Sequence, residues 1–274
     1  MAPIPIEMLT LGGFALIVGA SLFLLVVQRP TVTRPLVFSV LPWLATATVL
    51  GWLRPALDYP PGVETVLRFP WVYLLLACLC VLAWTMFMQL RTTERARAVV
   101  PTYLALMGVG VLLGPVGVLV LVGGASMSVA QLLSWLVAPV VALVVTYVAL
   151  ISLGLWLPRT AAFVGTAGGV VLFGAALDAV VTGLAISLGA PSVVLTAAIA
   201  PSLAAMGDVS PTAVTVWADV WIRLLVAVGV LGGLALMSRS RRSLAEYGLH
   251  VGVVLSVIAG TNALVAALSG GVLA

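Results

Sequence analysis

Eight apolar stretches, each approaching or exceeding twenty residues, recur along the 274-residue chain and constrain it more than any other feature. A helix rises about 1.5 Å per residue, so about twenty apolar residues match the ~30 Å hydrocarbon core of a bilayer. Inside lipid, backbone N–H and C=O groups must be satisfied without water, which leaves helices or closed barrels as spanning structures. Runs this long point to helices, because strands are shorter and alternate. The sequence therefore predicts an all-α polytopic integral membrane protein with about eight transmembrane helices. No part of it is long or polar enough for a soluble domain.

The spans read as Met8–Val27, Leu36–Leu53, Trp71–Leu90, Val99–Val122, Val129–Trp156, Ala161–Ser187, Val214–Met237 and Tyr247–Leu268. Charged residues make up only 7% of the chain, against roughly 25% in soluble proteins. The first span follows Glu7 with no basic residue before it, so it reads as a membrane span and not as a cleavable signal.

Composition also removes several chemistries. All 12 basic residues are arginine, so a lysine Schiff base is excluded. A single histidine, His250, cannot hold a haem from both faces, and no His/Cys/Glu cluster has metal-ligand spacing. Cys78 and Cys80 lie two apart in an apolar run, too awkwardly placed to bridge each other, and read as small apolar fillers. No phosphate-binding glycine loop, Ser/His/Asp set or paired aspartate-rich motif occurs. No cofactor or metal is expected, enzymatic activity is the minority reading, and the scattered arginines exclude a nucleic-acid surface.

Arginine position orients the chain, since positive loops stay cytoplasmic. Arg29, Arg34, Arg91, Arg95, Arg97, Arg159, Arg239, Arg241 and Arg242 fall on one side, and only Arg54 and Arg68 on the other. The expectation is a multi-pass plasma-membrane protein with both termini outside. Arg95-Ala96-Arg97 followed by Tyr103, and Arg239-Ser240-Arg241 followed by Tyr247, share one spacing. They suggest a parallel four-plus-four repeat within one transmembrane domain, with halves 1–125 and 126–274. The positive-inside rule alone would produce much of the same pattern. The connection Gly189–Ala213 is mostly apolar and interrupted by Pro201, Gly207 and Pro211. It reads equally as a re-entrant segment or as an amphipathic helix on the outer surface.

Ionisable groups within spans are costly and each needs a partner. Asp178 in the sixth span and Arg223 in the seventh fall at matching depth on neighbouring antiparallel helices, so the two are expected to meet. Asp219 precedes Arg223 by one helical turn on the same face, adding a second carboxylate to one arginine. Thr182, Thr261 and Asn262 could line the same space, although interhelical hydrogen bonding is the better explanation of such residues. Glu246 and His250 fall near the inner interface. Gly165-x-x-x-Gly169 reads as a close helix–helix contact.

Several local patterns are similar to a family of archaeal polytopic membrane proteins catalogued as domain of unknown function sixty-three. They are Leu41-Pro42-Trp43, the Phe69-Pro70-Trp71-Val72-Tyr73-Leu74 opening of the third span, Leu177-Asp178-Ala179 with Thr182, Trp217 through Leu224, and Ala259-Gly260-Thr261-Asn262. The likeness covers most of the chain. It implies an archaeal source, an eight-helix fold and a basic residue at the position of Arg223. It also implies a histidine where Asn262 stands, so a titrating group is missing there. It implies no activity.

These readings converge on a non-enzymatic membrane protein that binds or moves a small solute or cation through an outward-facing polar cavity lined by spans six to eight. The alternatives are a structural or assembly subunit of a membrane complex, in which the ion pair only fixes helix register, and an intramembrane lipid-processing enzyme. Expected partners are the bilayer, the solute, and further copies or subunits.

Overall fold

The computed structural model describes residues 6–28, 33–54, 57–90, 93, 97–124, 129–187 and 211–269. Among these the protein is helical: α1 Ile6–Gln28, α2 Arg34–Leu53, α3 Pro61–Val66, α4 Trp71–Leu90, α5 Val100–Gly124, α6 Val129–Trp156, α7 Pro158–Ser187, α8 Pro211–Met237 and α9 Arg242–Ser269. All but α3 are long and apolar enough to cross a membrane, which makes this a polytopic helical membrane protein with eight candidate spans.

Prolines set several boundaries. Pro35, Pro61, Pro158 and Pro211 stand in the first turn of their helices, where the missing N–H would have had no partner. α6 and α7 are separated by Leu157 alone, because Pro158 cannot continue α6. The Leu157 N–H donates to Leu153 O at 2.8 Å, and its carbonyl accepts from Ala161 N at 3.0 Å, giving a tight corner. α7, α8 and α9 begin three to five residues earlier than hydropathy places them, since their polar first turns are helical while lacking apolar character. The short α3, inside the connection before the third span, was invisible to a search for long apolar runs.

The chain forms two compact units, meeting in sequence between Val122 and Gly123. In the first, α4 is the packing centre, touching α1, α2 and α3. Its core joins Trp43 and Ala47 to Leu67, Leu104 and the α4 stripe Val72, Leu76, Cys80 and Ala83. Cys78 is also buried, and both cysteines are free thiols that fill apolar space. The Trp43 indole N–H donates to Leu104 O at 3.1 Å, and its ring lies where a Cβ on Gly108 would stand. The Thr48 and Tyr73 hydroxyls are 3.0 Å apart and tie α2 to α4.

In the second unit α7 is the hub, packed against α6, α8 and α9. Gly165 breaks α7 with φ 50° and ψ −138°, a conformation natural to glycine. Of the Gly165/Gly169 pair, Gly169 faces a neighbour as the close-contact reading expects, with Leu150 of α6 3.5 Å from where a Cβ would stand, and Gly165 has the further role of bending the helix. All but the last three residues of Gly189–Ala213 fall outside the described residues.

Candidate functional site

The site is built around the crossing of α7 and α9. A Cβ on Gly174 would overlap the Ser256 carbonyl, and one on Gly260 would lie 3.2 Å from Gly174 O, so both helices need a bare backbone there. On α9 the small residues Gly248, Gly252, Ser256 and Gly260 recur every four positions and form one stripe. That spacing was a legible signal which a search for charged residues passes over. At the Gly248 end a Cβ would overlap Leu234 of α8, so α8 and α9 pinch together. Farther along they part and leave a cavity of about 440 Å³ backed by α7.

Asp178 stands one turn beyond Gly174 on α7 and lines this cavity. Opposite it, Arg223 donates through Nη1 to the Asp178 carboxylate Oδ2. The side chains retain only 24% and 16% of their exposure, so the pair is largely desolvated. Asp178 lies nine residues before the end of α7 and Arg223 twelve after the start of α8, or ~13 and ~18 Å into their helices. Two charges at that depth persist because each neutralises the other, and removal of one would strand its partner.

The remaining walls are aliphatic. α8 supplies Ile222, Val226, Ala227 and Val230, and α9 supplies Leu255 and Ala259. Among the described residues the one hydroxyl in the lining, Ser256 Oγ, donates to Gly252 O of its own helix at 2.7 Å. The expected polar cavity is thus an apolar one with a single ionic patch, since spans this hydrophobic have few polar residues to contribute.

The other sequence candidates fall around the pair unevenly. Thr182 lies one turn beyond Asp178, with its Oγ1 donating to the Asp178 carbonyl at 2.7 Å, and is not part of the cavity wall. Asn262 is exposed on α9, three residues beyond Ala259, and does not line the cavity either. The backbone of Asp219 belongs to α8, while its side chain falls outside the described residues. Among the described residues no group of three His, Cys, Asp or Glu side chains is placed to hold a metal.

No family model, curated protein or solved structure matches the chain. The functional reading therefore rests on the geometry of this cavity.

Proposed function

We propose that the protein binds or moves a small solute or ion through the cavity between α8 and α9, with Asp178 and Arg223 as the charged groups that meet it. One observation carries this reading: a desolvated ion pair faces a space of about 440 Å³ instead of being sealed by side chains, within the ~300–1,000 Å³ typical of ligand pockets. Aliphatic walls beside an ionic patch suit a solute with a charged group and an apolar body. Asp219, one turn from Arg223, is assigned as a second carboxylate of the same site. The chain is placed in the plasma membrane with both termini and the cavity mouth outside, on the bias of loop arginines.

Uptake of small carboxylates and amines into proteoliposomes tests the transport reading. The Asp178→Asn/Arg223→Gln double variant should fold and lose uptake. For topology, single cysteines at Ser126 and Ser240, in a background lacking Cys78 and Cys80, should label from opposite sides. Equal labelling from outside sinks that assignment.

A second reading, a register-fixing pair in a structural subunit, is favoured by the Thr182 and Ser256 hydroxyls, which both turn back onto their own helices. In that case the double variant keeps both stability and function.

A further inference from the structure

The second unit holds another cavity, separate from the ion pair, of about 450 Å³ between α6 and α8. Its α6 wall runs from Val144 to Trp156, with Leu157 of the corner beyond it, and its α8 wall from Val220 to Val228. The one hydroxyl in it, Ser152 Oγ, is taken by Val148 O at 2.9 Å, so the groove offers an occupant apolar surface alone. It is open laterally: Leu225 and Trp156 on its rim are 66% and 83% exposed. The thirteen residues from Val144 to Trp156 extend about 18 Å along α6. One leaflet of a bilayer is about 15 Å deep, half of the ~30 Å core.

Trp156, which lines one end of the groove, and Arg159, two residues beyond its last lining residue on that side, point to what would fill it. Trp156 closes that end of α6, and tryptophan concentrates at membrane interfaces, where its ring meets headgroups. Arg159 follows Leu157 by two residues, is exposed, and forms no ion pair with the described residues. An elongated apolar slot somewhat longer than one leaflet's hydrocarbon depth, with a tryptophan at its end and, two residues beyond its lining, an arginine that has no ion pair among the described residues, complements a molecule with an apolar tail and an anionic head.

We propose that this groove holds one acyl chain of an anionic phospholipid whose phosphate meets Arg159. The tail lies along Val148 and Leu225, where it replaces contacts that the two helices cannot make with each other. The assignment is independent of the reading of the Asp178–Arg223 cavity.

Native mass spectrometry of the full delipidated chain, titrated with phosphatidylglycerol, phosphatidylcholine of matched tails or inorganic phosphate, tests it. Phosphatidylglycerol should bind at one per chain and about fivefold more tightly than phosphatidylcholine, the contribution of one surface arginine. Arg159→Gln should erase that preference, weakening phosphatidylglycerol more than phosphatidylcholine, whose choline cation already offsets its phosphate. Ser152→Phe fills the groove from an exposed position and should weaken both lipids by about tenfold or more. Should that variant fail to fold, Trp156→Ala trims the exposed rim and should weaken both lipids without disturbing the core. Equal affinity for the two lipids, a preference that survives Arg159→Gln, or unchanged binding in the groove variants overturns the proposal. Inorganic phosphate binding as tightly as phosphatidylglycerol overturns it in favour of a simple anion site. Dimerisation that excludes lipid overturns it in favour of an interface between copies.

Discussion

Among the described residues each unit contains an arginine–carboxylate pair that joins two helices, and these two pairs occupy different surroundings; the second unit's further pair, Arg242–Glu246, is exposed and lies within α9. In the first unit Arg54, at the C-terminal cap of α2, contacts Glu64 in the first turn of α3 at 2.8 Å. Glu64 is exposed and Arg54 partly so, and each charge favours the helix terminus it occupies. In the second unit Asp178 and Arg223 meet deep within their helices beside an open cavity. Interior filling differs in the same sense: Trp43 occupies the first unit's core and caps a backbone carbonyl, whereas α8 and α9 part around the pair. The same chemistry thus joins two helix ends in one unit and leaves a charged patch facing free volume in the other. Solvent access separates the two cases, because water screens the first pair and the second must be neutralised by protein.

The largest effect should come from breaking the deep pair. Arg223→Gln strands Asp178 and should cost about 3–5 kcal/mol in unfolding measured in micelles. A cost near that of a surface pair would mean that Asp178 is hydrated, and the contrast between the units would collapse. The Asp178→Asn/Arg223→Gln variant should recover much of the loss, since neither charge is left alone.

Glycine substitutions sharpen the comparison at intermediate size. Gly174→Ala drives a methyl into the Ser256 carbonyl, a backbone atom that cannot move by rotamer change, and should cost about 2–3 kcal/mol. Gly108→Ala meets the edge of the Trp43 ring and should cost about 1 kcal/mol, provided the indole can tilt while keeping its bond to Leu104. Reversal of that order in thermal unfolding would show that the first unit is the more tightly packed. The smallest effect belongs to Arg54→Gln, at or below about 1 kcal/mol and shrinking with salt.

Hydropathy alone determined that the chain is helical and polytopic, because lipid permits few spanning structures and each needs an apolar run of fixed minimum length. It located all eight spans, two of them, Trp71–Leu90 and Val129–Trp156, at their observed bounds. Depth counting also brought Asp178 to Arg223, since a buried charge in an apolar helix has few places to find its opposite. Tertiary structure decided what sequence spacing does not encode. Thr182 lies one turn beyond Asp178 on the same face and Asn262 three residues beyond Ala259 on α9, but neither reaches the cavity wall. Gly165 matches a contact motif and also bends α7, a role that its spacing does not announce because a glycine serves close approach and positive φ equally well. The cavities themselves arise where α8 parts from α9 and from α6, and such divergence is set by the volumes and rotamers meeting at distant crossings such as Gly174–Ser256 and Gly248–Leu234.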